Sequence, residues 1–285
     1  MNVKEVQLIL DRYSTAPKKK FGQNFLMDNN IIKKIVQTAN INKNINVIEI
    51  GPGLGFLTKE LSKNAKKVLC YEIDPDMVNC IKDTFGSDSN VVVKQADFLK
   101  VNVEKDIKEN FDGGDVVITA NLPYYITTAI LTKVLEEAPS IKGITVMMQQ
   151  EVAQRLCGKP STKDYNGLSV LIQYYTTPKI ALKVPANCFY PAPNVDSSVI
   201  HLTFKNEIIN KAINEDYFKK FIRAIFTQRR KTINNNLKTV LGYKSTFIEK
   251  CCNLANISIS SRADGLTVDQ IVNLSNCFYN NLEIK

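Results

Sequence analysis

Five short apolar runs, each closed by turn residues and separated by stretches of helical spacing, constrain this chain more than any other feature. They are "NVIEI" (46–50), "KKVLCYEI" (66–73), "NVVVKQAD" (90–97), "DVVITAN" (115–121) and "GITVMMQ" (143–149). Strands alternating with helices call for crossover connections, so the pattern predicts a parallel, doubly wound α/β sheet. Two further strands are expected around "ALKVPANCFY" and "SSVIHLTF", close enough in sequence to pair antiparallel at an edge. That makes seven strands in all. Past residue 204 the strand signal stops. "DYFKKFIRAIFTQRRKTINNNLKTVL" has apolar residues at helical spacing, and Thr267 is placed to cap a last helix over "VDQIVNLSNCF". The expected division is a catalytic domain over 1–204, with a polar, helical N-terminal segment over 1–44, and a small helical domain over 205–285.

Charge bears on partners. Lys and Arg number 37 against 28 Asp and Glu, a formal net charge of +9. From 205 to 250 there are eleven basic residues against four acidic ones, so much of the excess lies in the helical domain. This favours a polyanionic partner, nucleic acid before membrane. The seven cysteines form no CxxC pair and there is a single histidine, His201, which leaves little for a zinc site. The expectation is reduced thiols, no metal, no membrane span and a cytoplasmic location.

The first expected strand runs into "EIGPGLGFL" (49–57), with glycines at 51, 53 and 55. Such a loop allows a tight turn and close approach of a ligand to the backbone. A dinucleotide fingerprint would place its third glycine at 56, where this chain has Phe56. The Gly-x-Gly-x-Gly spacing instead resembles the first motif of S-adenosylmethionine-dependent methyltransferases. Glu72, at the end of the second strand, is placed to accept ribose hydroxyls, and Asp97, at the end of the third, to accept a hydrogen bond from an adenine amine. Taken singly, each acid also reads as a helix cap or a surface charge.

The fourth strand ends in "NLPYYITT" (121–128). An exocyclic amine on adenine is a poor nucleophile because its lone pair is delocalised into the ring. The Asn121 side-chain oxygen and the Leu122 carbonyl can accept that amine's two hydrogens and favour a more tetrahedral nitrogen. Pro123 removes a competing donor and fixes the turn. Tyr124 offers a ring face on which a splayed-out base stacks. "NLPY" resembles the tetrapeptide of amino-methyltransferases that act on nucleobases. Methyl transfer from a cationic donor needs orientation above all, so the chemistry requires no catalytic histidine.

Taken together, "KFGQNFL" (20–26), "EIGPGLGFLT" (49–58), "YEID" (71–74), "QADFL" (95–99), "NLPYYIT" (121–127), "QQEVAQRL" (149–156), "CFYPAPNVDSSV" (188–199) and "FTQRRKTINNNL" (226–237) resemble the ribosomal RNA adenine N6,N6-dimethyltransferases, in family order from about residue 20 onward. The resemblance implies a Rossmann-like methyltransferase domain that uses S-adenosylmethionine to transfer two methyl groups to adenine N6, and a monomer. It implies cofactor contacts at Asn24, Leu26, Gly51, Gly53, Glu72, Asp97 and Asn121, and a base-stacking role for Phe189 opposite Tyr124. Core packing under a proline-rich loop is the alternative for Phe189. Tyr125 stands where many relatives have Asn. "GKPSTKDYNGLSVLIQ" (158–173) and "SRADGLTVDQIVNL" (261–274) resemble the KsgA-type branch, which modifies two adjacent adenosines in a 16S rRNA hairpin loop of the immature 30S subunit, over the Erm-type branch, which modifies a large-subunit adenosine and confers macrolide resistance. Lys18, Lys19 and Lys20 are candidate RNA contacts or a solvated charge run. Arg229, Arg230 and Lys231, in a helical pattern, are expected either to grip phosphates or to pair with carboxylates between the domains.

Overall fold

Asn46–Ile50 is buried along its whole length, polar Asn46 and Glu49 included, as a central strand covered on both faces must be. The computed structural model describes residues 2–282. The chain opens with α1 (Val3–Arg12), a 3-10 turn (Lys19–Phe21), β1 (Phe25–Leu26) and α2 (Asn29–Thr38). Then β2 (Asn46–Ile50), α3 (Phe56–Asn64), β3 (Lys67–Glu72), α4 (Pro75–Phe85), β4 (Val91–Gln95) and α5 (Val103–Asn110) alternate. They continue through β5 (Val116–Asn121), α6 (Thr127–Glu137), β6 (Ile141–Gln149), α7 (Gln150–Leu156) and α8 (Gly167–Tyr175). Next come β7 (Thr176–Val184), β8 (Phe189–Tyr190), β9 (Ser197–Phe204), α9 (Glu215–Ile225), α10 (Ile233–Leu241), α11 (Ser245–Leu254) and α12 (Val268–Asn280).

Seven strands form one sheet in the order β4-β3-β2-β5-β6-β9-β7. The pairs β2–β3, β3–β4, β2–β5 and β5–β6 are parallel, and β9 runs antiparallel to β6. Strand order reverses between β2 and β5, so the crevice beyond their carboxyl ends is where such a sheet holds a ligand. The N-terminal segment is not helical throughout. Its β1 pairs antiparallel with β8, setting Phe25 opposite Tyr190 and Leu26 opposite Phe189.

The chain forms two compact units, one of residues 1–153 and 179–204, the other of 154–178 and 205–285. The second begins its longer stretch at Lys205, but it also takes 154–178, which the sequence division placed with the sheet. The reason is packing. Tyr174 of α8 is 1% exposed and its ring lies 4.7 Å from that of Phe218 in α9, within a core that includes Val170, Phe221, Leu237, Ile271 and Phe278. α12 begins at the expected cap, where Thr267 and Gln270 form a reciprocal capping box. Residues 216–241 are two helices, and Arg229, Arg230 and Lys231 lie in the connection between α9 and α10, outside any helix.

Candidate active site

A cavity at the carboxyl ends of β2, β3, β4 and β5 gathers Asn24, Leu26, Gly51, Gly53, Glu72, Asp97, Asn121, Leu122, Pro123 and Tyr124. The glycine loop is the floor of it. Gly51 and Gly53 have φ of +66° and +56°, a conformation that a β-carbon disfavours. A Cβ on Gly53 would stand 3.0 Å from the Phe25 ring. Gly53 N–H donates to Glu72 Oε2 at 3.0 Å, so the loop is tied to the adjacent strand end. Glu72 is 5% exposed, and its Oε1 also accepts the Ile73 and Asp74 amides, both at 2.9 Å. Burial pushes this carboxyl above its ordinary range, while the three backbone amides pull it back. The remaining lone-pair capacity of Oε2 is what a hydroxyl in the cavity would meet.

Asp97 is both a cap and a cavity residue. Its Oδ1 accepts from Leu99 N–H at 3.0 Å, and Lys100 Nζ lies 3.8 Å from Oδ2. Capping occupies one oxygen of Asp97 and so does not exclude a ligand at the other.

Asn121 ends β5. Its Nδ2 donates to the Asn24 carbonyl at 3.0 Å, which orients the amide and leaves Oδ1 without a donor among the described residues. Leu122 N–H donates to Met147 O at 3.1 Å, and no described residue donates to the Leu122 carbonyl oxygen. Asn24 thus acts on Asn121 through its backbone, while its side chain closes on Gly22 O at 3.1 Å. The Tyr124 hydroxyl and Ser197 Oγ are 2.6 Å apart, an anchor that fixes the ring. Burial pushes the Tyr124 phenol up, and the Ser197 bond pulls it back. Pro123 closes the corner: a Cβ added at Gly22 or Gly51 would stand 3.7 or 3.9 Å from its ring. Tyr125 is 61% exposed and also lines the cavity.

Phe189 lies among buried side chains. It is 3% exposed, packed with Leu26, Leu57, Met147 and Val199, and does not line the cavity. Its pairing opposite Leu26 carries it into the core, the alternative the sequence left open.

Lys18 is paired with two carboxylates. Its Nζ lies 2.6 Å from Asp74 Oδ1 and 2.6 Å from Asp76 Oδ2. Burial alone would lower its ammonium; the bonds to Asp74 and Asp76 outweigh that and raise it. Lys19 and Lys20 are exposed, in the turn leading to Phe21 of the cavity wall, and Lys20 Nζ sits 4.7 Å over the Phe21 ring. In the helical unit, Arg229 Nε lies 3.2 Å from Asp264 Oδ2, and its terminal nitrogens donate to the carbonyls of Thr162 and Lys163. Its acidic partner lies within its own unit. Arg230 and Lys231 are exposed.

The sequence reading missed Glu49, which is 1% exposed in β2 and lines the cavity. Burial pushes its carboxyl up to about 8. The signal available was a carboxylate inside an otherwise apolar run. His201 is placed in the sheet, its Nδ1 2.7 Å from Thr145 Oγ1, away from the cavity. Among the described residues no group of His, Cys, Asp and Glu is arranged to hold a metal, and no helix is long and apolar enough to cross a membrane.

The family model described as ribosomal RNA adenine dimethylase matches residues 15–280. A protein named ribosomal RNA small subunit methyltransferase A from Bacillus pumilus (strain SAFR-032) is 45% identical over 272 residues, covering 94% of this chain and 93% of its own length. One of the same name from Lysinibacillus sphaericus (strain C3-41) is 45% identical over 277 residues, covering 96% and 94%. Among solved structures, a dimethyladenosine transferase from Plasmodium falciparum superposes with a TM-score of 0.74 at 26% identity, covering 90% of this chain and 98% of that one. The 23S rRNA methyltransferase ErmE superposes with a TM-score of 0.66 at 27% identity, covering 89% and 99%.

Proposed function

The chain belongs to the ribosomal RNA adenine dimethylase family, and from that premise we propose that it methylates N6 of two adjacent adenosines in a hairpin loop near the 3′ end of 16S rRNA. The donor is S-adenosylmethionine and the product N6,N6-dimethyladenosine. The proposed substrate is RNA in the immature 30S particle, which makes the reaction a step of small-subunit assembly in the cytoplasm. Relatives named for the small subunit, 45% identical over nearly the whole chain, support that choice over a large-subunit target.

The cavity fits the donor. Its glycines leave the backbone open where a Cβ on Gly53 would meet Phe25, and a buried carboxylate and a capping carboxylate stand at successive strand ends. Gly51, Gly53, Glu72 and Asp97 would hold the nucleoside, with Asn24 and Leu26 on the facing wall. When bound, the cofactor supplies a methyl group on a positively charged sulfur.

The observation that carries the proposal is the state of Asn121. With Nδ2 held by the Asn24 carbonyl, Oδ1 is left as an acceptor beside the vacant Leu122 carbonyl. These two oxygens accept the two hydrogens of an adenine amine, which draws its lone pair out of the ring and toward an electrophile. Pro123 contributes no N–H to compete. Tyr124, fixed by Ser197, supplies the ring face against which a flipped base stacks. No side-chain base is needed, because the proton leaves an already cationic nitrogen for solvent. RNA is held by exposed basic residues on each unit, Lys19 and Lys20 on one, Arg230 and Lys231 on the other.

The test is methyl transfer from labelled S-adenosylmethionine to immature 30S particles, with 50S particles and free 23S rRNA in parallel. Label confined to 16S rRNA is expected. Label confined to 23S rRNA would place the protein in the large-subunit branch.

A further inference from the structure

Residues 18–27 cross the wall of the cavity as a strap with a different fastening at each end. Its far end is knitted into protein: β1 pairs with β8, and Met27 N–H donates to Cys188 O at 2.8 Å. The near end has no strand pairing. It is held by side chains on the first turn of α4, and Lys18 is the centre of them. Lys18 Nζ bridges Asp74 Oδ1 and Asp76 Oδ2, both at 2.6 Å, while Gln23 Nε2 donates to Asp74 Oδ2 at 2.8 Å. Lys18 N–H closes the loop by donating to Gln23 Oε1 at 2.7 Å. Thr15 Oγ1 adds a bond to Asp76 Oδ2 at 2.8 Å.

Asp74 makes this more than a surface ion pair. Its side chain is fully buried, and its own N–H donates to Glu72 Oε1. The clamp therefore ends on the residue next but one to the carboxylate that faces the cavity. Between the two fastenings, Gly22 to Leu26 line the cavity and the Asn24 carbonyl orients Asn121. We propose that Lys18 is a positioning residue: joined to Asp74 and Asp76, it pins the strap across the cavity so that the cofactor is enclosed and Asn121 keeps its orientation. This rests on the reading that the cavity takes S-adenosylmethionine. It also reassigns Lys18 from the RNA, because two carboxylates already meet its charge.

The experiment uses the full-length protein. S-adenosylmethionine binding is measured by calorimetry for wild type, Lys18→Met, Lys18→Arg and Asp76→Asn, with the exposed Lys63→Met as a charge-loss control. Amide exchange of Phe21 and Gly22 is followed without cofactor. Lys18→Met is expected to weaken binding by roughly tenfold or more, the order of one lost charge-assisted hydrogen bond. Faster exchange in the strap should accompany it, with Lys18→Arg recovering most of both and Lys63→Met resembling wild type. Unchanged affinity and unchanged strap exchange in Lys18→Met would overturn the proposal. So would a loss confined to RNA affinity. Should Lys18→Met fail to fold, Asp76→Asn carries the test, since it leaves buried Asp74 paired; a wild-type affinity and wild-type strap exchange there would overturn it equally. If wild type binds no cofactor, the reading of the cavity fails, while strap exchange still decides the clamp.

Discussion

Glu49 sits in the middle of β2, 1% exposed, with the Cys70 thiol donating to its Oε2 at 3.6 Å. Burial raises its carboxyl from 4.5 to about 8. In the unfolded chain the same group ionises near 4.5, so between those values the unfolded state releases a proton that the folded state keeps. The stability Glu49 contributes is full below 4.5, falls through the interval and levels off above 8. Each unit in the interval is worth about 1.4 kcal/mol, so from pH 6 to 8 this one residue should remove about 2–3 kcal/mol. Glu49→Gln keeps the size and the acceptor oxygen but cannot ionise. The variant should match wild type near pH 4 to within about 1 kcal/mol, exceed it by about 2 kcal/mol at pH 6 and by about 4 kcal/mol at pH 8. Urea unfolding of the cofactor-free protein across this range measures both curves. Glu72, shifted in the same direction, is present in both proteins and cancels in the difference. Parallel curves for wild type and Glu49→Gln would refute the argument that burial holds Glu49 neutral.

Asn121→Ala should lower the methyl-transfer rate by about two to three orders of magnitude, the effect of removing one preorganised polar group, while RNA association measured by filter binding stays largely intact. Gly53→Ala forces a β-carbon into the left-handed region against Phe25, and should lose about 1–2 kcal/mol of stability in urea unfolding along with cofactor affinity. Arg230→Ala should weaken RNA binding and reduce the slope of log affinity against log salt by about 0.7–1. Arg229→Met should leave that slope nearly unchanged and lower the melting temperature, because its guanidinium is already bound to Asp264 and two carbonyls.

The sheet was legible because its parallel strands are mostly apolar runs, a pattern that burial writes into the sequence of β2, β3, β5 and β6, while the edge strand β4 is only partly buried. Glu72, Asp97 and Asn121 stand out for a related reason: each is a polar group at the end of such a run, and the structure sets all three on the cavity. What escaped was set by partners distant in the chain. Residues 154–178 join the helical unit because Tyr174 packs on Phe218, a contact their own periodicity does not announce. Lys18 reads as one of three like charges until Asp74, 56 residues on, is folded beside it. Phe189 reads as a stacking ring or as a core residue until β8 finds β1, 163 residues earlier by the Leu26–Phe189 pairing. Arg229 reads equally as a phosphate contact or as the partner of a carboxylate until Asp264 is folded beside it.

The most direct test of the central claim is mass spectrometry of nucleosides from 16S rRNA of immature 30S particles, taken after reaction with S-adenosylmethionine and the purified protein. Two N6,N6-dimethyladenosines per 16S molecule, at neighbouring positions in one hairpin loop, are the predicted result. N6-monomethyladenosine as the end product, or methyl groups on ribose or on another ring nitrogen, would contradict it.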